Sequence, residues 1–164
     1  MTRLAPIDPR VSFADGPDVD WFVVGFHADE ALDDCYSLTM VVATDDNSVD
    51  TGALLGSNCE LALHRGDQTH GSFQGVVHRV EYLGFADHRL HLRVQVVPAL
   101  ALARQRRNSR IWQGESVQAI VAEVLAASLD PHGRSIALDN LQRGAEARDY
   151  CIQYRETDYD FARR

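Results

Sequence analysis

The chain has 164 residues, the length of one domain, and at that size folding can bury roughly 70% of the surface an unfolded chain exposes, so a core needs no disulfide or metal. Hydrophobic residues make up 45% and charged residues 24%, with five prolines and no low-complexity run, which excludes long disordered or fibrous stretches. A net charge of −8 disfavours nonspecific phosphate binding, and the lack of a bilayer-length apolar stretch or a secretory h-region disfavours a membrane-embedded or classically exported protein.

Residues 1–20 are a Pro- and Asp-rich lead carrying Pro6, Pro9 and Pro17. A β-rich run follows at Trp21–Phe26, then an acidic turn at Asp29, Glu30, Asp33 and Asp34. Tyr36, Leu38, Met40 and Val42 recur at period two, the mark of a half-buried strand. Turn chemistry at Asp45–Ser48 precedes a third strand around Leu61 and Leu63 and a fourth around Val76, Val80 and Tyr82. The clearest strand is residues 88–98, where Leu90, Leu92, Val94 and Val96 alternate with Arg89, His91, Arg93 and Gln95 until Pro98 ends the ladder. Short turns between successive strands imply an antiparallel sheet over residues 21–98, and closing it into a small barrel would remove its edges.

The pattern changes in residues 99–164. Ser116 is placed to cap a helix whose Val117, Ile120, Val121, Val124 and Leu125 form one apolar stripe, and Asp130-Pro131 should stop it. A last β segment, residues 150–154, leads to Thr157, which with Asp160 resembles a capping box, while Asp158 adds charge favourable to a helix start. Seven residues remain after that cap, too few to sustain an isolated helix, so the end reads as a cut within a longer protein and should fray unless neighbouring structure holds it. The fold class expected is mainly β with α: an antiparallel β-barrel, then an amphipathic helix and a strand-to-helix segment.

Catalytic and metal motifs are missing. There is no G-x-S-x-G, H-E-x-x-H or phosphate loop, and no calcium-loop pattern at the acidic turn. His88 and His91 should face opposite sides of one strand, and His64 and His70 flank a polar turn, so no metal site is expected. Cys35, Cys59 and Cys151 are far apart, as reduced thiols would be, and neither Cys35 nor Cys59, the nucleophile candidates, has a basic neighbour, which fits buried structural thiols. Arg104, Arg106, Arg107 and Arg110 are the one basic cluster; without interleaved aromatics it fits a protein contact better than nucleic acid.

Four ordered segments resemble the N-terminal part of VgrG proteins, the spike of type VI secretion, which is similar to contractile-phage baseplate hubs and late-control protein D. These are Phe26-His27-Ala28-Asp29-Glu30-Ala31-Leu32; Leu54-Leu55-Gly56 with residues 73–80; Ser109–Gln113 leading into the helix; and Tyr150–Phe161, the most specific. Ala28 stands where the family has Gly, and Ala119 where an acid would complete a capping box with Ser116. Phe26, Leu32, Tyr154, Arg155, Glu156, Thr157, Asp158 and Phe161 are the family-motif residues the resemblance marks as structural.

The resemblance implies a first hub barrel at 21–98 and, at 99–164, a helical connection with the start of the next hub element. It implies a structural, non-enzymatic part with no cofactor, whose partners are sibling subunits of a homotrimer, the hexameric Hcp tube and baseplate components, with no nucleic acid and no membrane insertion. Assembly would be in the bacterial cytoplasm, and export would use the type VI apparatus without a signal peptide. A small-ligand-binding or hydrolytic barrel is the alternative.

Overall fold

A computed structural model describes residues 6–138 and 146–164, which divide into two compact units after Pro98. The first unit is one six-stranded antiparallel sheet. Its strands are β1 (Asp8–Ala14), β2 (Phe22–Asp29), β3 (Ser37–Thr44), β4 (Asn58–Arg65), β5 (Gln68–Ala86) and β6 (Arg89–Val97), in the spatial order β1-β4-β5-β6-β3-β2.

The expected alternations build the core. Leu38, Met40 and Val42 of β3 pair with Val96, Val94 and Leu92 of β6, and directly opposed residues share a face, so all six are buried together. Leu54, Cys59, Leu61, Val77 and Leu90 complete the cluster. Each fully buried Leu or Val contributes about 1.5–3 kcal/mol relative to exposure.

Two hairpins have turn chemistry suited to their strands. Gly66, with φ of +61°, opens the two-residue turn between β4 and β5. Asp87 and His88 both have positive φ, +51° and +64°, as the tight turn between β5 and β6 requires. This corrects the placement of His88: it sits in the turn, because the ladder begins at Arg89, and only His91 lies on the strand. The His91 ring Nε2 is 3.3 Å from the Ala86 carbonyl.

Two further differences have physical causes. The lead at 1–20 contributes β1, which pairs with β4 from Asp8 to Ala14. Its Pro9, Val11 and Phe13 are half-buried, and Pro9 is accommodated because β1 is an end strand. The sheet curls as a half-barrel, with β1 and β2 as its two ends and no ladder between them. β5 is longer than its apolar positions suggested, running 19 residues with bulges at Val77/Arg79 and Tyr82/Gly84. Tyr82, at the second bulge, and Phe85, beyond it, are exposed.

The second unit begins with a 3-10 turn, Ala99–Gln105, followed by β7 (Arg107–Trp112) and a two-residue β8 (Glu115–Ser116). Helix α1 (Val117–Leu129) starts where expected: the Ser116 Oγ accepts from the Ala119 N–H at 3.2 Å, even without the acid of a full capping box. Its stripe turns inward at Ile120, Val124 and Leu125, while Val117 and Val121 are half-buried. A 3-10 turn over Asp130–His132 and Gly133 at φ +64° end the helical run. After β9 (Ala147–Arg148), β10 (Cys151–Thr157) pairs antiparallel with β7 and runs into α2 (Asp158–Arg163). Trp112, Ile120, Val124 and Phe161 form this unit's core, with the Phe161 ring stacked on Trp112 at 5.3 Å, so α2 is held by packing in spite of its six residues. Among the described residues no helix is long and apolar enough to cross a membrane.

Candidate functional site

A buried polar network occupies the corner where β10 becomes α2. Thr157 caps the helix: its Oγ1 accepts from the Asp160 N–H at 3.0 Å and donates to the Asp160 carboxylate at 2.6 Å. The next residue, Asp158, turns its carboxylate inward and is 0% exposed. Oδ1 accepts from Asn108 at 2.9 Å and from Gln153 at 2.8 Å, while Oδ2 accepts from Arg106 Nε at 3.1 Å. The Arg110 guanidinium lies 3.9 Å away, and the Asp158 N–H donates to the Arg106 carbonyl at 2.8 Å. Burial raises the carboxyl pKa, but hydrogen bonds from Gln153, Asn108 and Arg106 and the Arg110 charge outweigh it, leaving the group below the usual carboxylate range. Such a site clamps β7, β10 and α2 together.

The corner divides the basic cluster. Arg106 and Arg110 point to Asp158, and Arg104 lies over the Tyr159 ring at 4.2 Å. Arg107 is exposed on β7. Asp158, expected to serve only as favourable charge at a helix start, is the acceptor that organises this group.

A bulge precedes the corner. Register passes from Tyr154 opposite Ser109 to Glu156 opposite Asn108, which leaves Arg155 as the extra residue at φ +50°. Its N–H donates to Ser109 Oγ at 3.1 Å. An L side chain in this left-handed region is strained, more so when β-branched. We therefore expect Arg155→Val to cost about 1–2 kcal/mol and Arg155→Gly to cost nothing or stabilise slightly, read as urea midpoints; equal losses for both would show that the side chain, and not the backbone, matters here.

The remaining motif residues have simpler settings. Phe26 is partly exposed on β2 opposite Met40, and Leu32 is fully exposed in the turn after β2. Tyr154 is exposed on the face that Ile111 and Ile152 share, whereas Phe161 packs inward. Glu156 accepts from Arg164 at 3.0 Å.

The nucleophile and ligand candidates are dispersed. Burial, then the adjacent Glu60 charge, pushes the Cys59 thiol up to about 12, which leaves it a poor nucleophile at neutral pH. Cys35 and Cys151 are half-buried and in no disulfide. His64 Nδ1 meets Thr69 Oγ1 at 3.2 Å and His27 meets Asp29 at 3.1 Å, both exposed. Among the described residues no three His, Cys, Asp or Glu side chains are grouped to hold a metal ion.

The fold has its structural neighbours among phage tail hub proteins. The Escherichia coli c3393 protein, described as a component of the type VI secretion system with structural similarity to the T4 tail proteins gp27 and gp5, superposes with a TM-score of 0.74 at 20% identity, over 93% of this chain and 41% of that one. The chain belongs to the phage tail baseplate hub (GPD) family, whose model matches residues 29–164. Its relatives include VgrG proteins. Type VI secretion system spike protein VgrG4b of Pseudomonas aeruginosa is 32% identical over 154 residues, 92% of this chain and 18% of that protein. Actin cross-linking toxin VgrG1 of Vibrio cholerae is 30% identical over 151 residues, 87% of this chain and 13% of that protein. The chain thus spans less than a fifth of these two relatives.

Proposed function

We propose that this chain acts as the opening hub portion of a type VI spike, seating a trimeric spike on the hexameric Hcp tube for contractile delivery. The observation that carries this reading is the hub-family match across residues 29–164, which includes most of the curled sheet and the whole clamped corner. In this role the chain is a structural part: the sheet is the surface tiled against the tube and sibling subunits, and the corner keeps β7, β10 and α2 in fixed register. Of the four arginines proposed as an interface, Arg107 and the outer side of Arg104 reach neighbouring subunits, while Arg106 and Arg110 hold the corner. Assembly is cytoplasmic and export follows the spike.

Avidity supplies the test, because one copy presents only a fraction of a ring. The chain is fused to a trimeric coiled coil, and its binding to immobilised Hcp hexamers is compared with that of the unfused chain. We expect weak binding for the unfused chain and an apparent affinity about 10²-fold higher for the fusion. No gain on trimerisation, or no binding by either form, would sink the reading.

A further inference from the structure

The half-barrel is open between its end strands, and that opening has a chemistry of its own. Along Asp8–Phe13, one side of β1 is bonded to β4, and among the described residues no strand pairs with its other side. This free side borders a groove of about 580 Å³, whose opposite wall is the 16–21 connection with Phe22 and Val23. Trp21 also lines the groove, its ring edge-on to Phe13 at 5.5 Å and packed against the core of the sheet, which gives this wall an apolar surface beside the free backbone.

The charge of the lining narrows the occupant. Asp8, Asp18 and Asp20 line the groove with one cation, Arg10, whose Nε is already tied to Asp8 at 2.9 Å. Asp18 and Asp20 are exposed at its rim. A second copy of this chain pairing edge to edge would set acid against acid. Pro9 and the bulge at Val23/Gly25 further discourage indiscriminate pairing and limit the length of any added strand.

We propose that this groove is a docking site for a short extended segment of a partner protein carrying Arg or Lys at alternate positions, which adds to β1 as a strand. Its backbone pairs with the free side of β1, and its cations face Asp18 and Asp20. The groove is built from residues 8–23, outside the 29–164 match on which the seating reading rests, so each proposal can fail alone.

The probe is a short capped peptide of alternating arginine and valine, titrated into the isotope-labelled full chain and followed by amide and indole NMR signals. We expect shifts confined to Asp8–Phe13 and 16–23. Asp18→Asn with Asp20→Asn, both exposed, should change the spectrum of the free protein only near residues 18 and 20 and weaken binding about tenfold. A peptide of the same sequence N-methylated at alternate residues should not bind. Overturning results are no shifts with the arginine–valine peptide, shifts elsewhere, or equal binding of the N-methylated peptide, which would reduce the effect to charge alone.

Discussion

Asp158→Ala is expected to destabilise the chain by about 3 kcal/mol, the lower end of what removing one partner of a buried ion pair costs. The lower end applies because Arg106 is itself 42% exposed and water can take over part of its solvation. Three donors lose their acceptor at once: Arg106, Asn108 and Gln153. Gln153, buried on β10, keeps a second acceptor in the Glu156 carbonyl at 3.3 Å, which also holds the total to the lower end. Asp158→Asn keeps one acceptor oxygen in place and should lose less, about 1–2 kcal/mol. Urea unfolding of the full chain, with hydrogen exchange at Gln153–Thr157, reads both the size and the place of the loss. A change under about 0.5 kcal/mol for the alanine variant would mean that the network is solvated in solution and clamps nothing.

The same carboxylate gives an acid limb of defined sign. Its pKa is lower in the folded protein than the ordinary 3.8, so on acidification the unfolded chain takes up this proton first. The contribution is complete above the ordinary value and is lost as pH falls through the depressed one. The stability gap between the native sequence and Asp158→Asn should therefore be constant from neutral pH down to about 5 and shrink below about 4.

What the sequence shows and hides follows from the range of each interaction. Period-two burial in β3 and β6 is written in consecutive residues, as are the Ser116 and Thr157 caps, because each depends on neighbours a few positions away. Strand β1 was hidden because prolines and aspartates flank and interrupt its apolar positions, and an end strand tolerates both. Strand β7 was hidden for the opposite reason. Its inward side carries Asn108 and Arg110 along with Trp112, while Ile111 faces out, so its hydrophobic pattern is nearly inverted. The corner shows the limit most clearly. Arg106 and Asn108 lie some fifty positions before Asp158, and nothing local marks their contact. The motif around Tyr154–Phe161 pointed to the right segment, but only the coordinates show which of its acids is buried.

Gly75→Ala should also cost about 3 kcal/mol or more, above the usual range for one added methyl, because the atoms in its way cannot retreat. Gly75 is buried on β5 opposite Cys59 of β4. A Cβ at this position would run into the Val97 backbone carbonyl and would lie 2.7 Å from Tyr36 Oη and 2.9 Å from Val96 Cγ1. Rotamer changes can move only the side chains. The Val97 oxygen belongs to β6, which is in register with β5 from Val76 opposite Val97 onward, so moving it means parting the ladder beside the core. Tyr36 is constrained as well: its hydroxyl donates to the Gln74 carbonyl at 2.6 Å, and its ring packs edge-on against Phe73 at 5.7 Å. Gly71 on the same strand is the internal control, because a Cβ there meets nothing within 4 Å. In a strand interior alanine is favoured over glycine by roughly 0.5–1 kcal/mol, so Gly71→Ala should be neutral or slightly stabilising. Thermal and urea unfolding of the two variants side by side decides the matter. Equal midpoints would show that β5 and β6 separate easily at Gly75, and that this end of the half-barrel yields to a single methyl group.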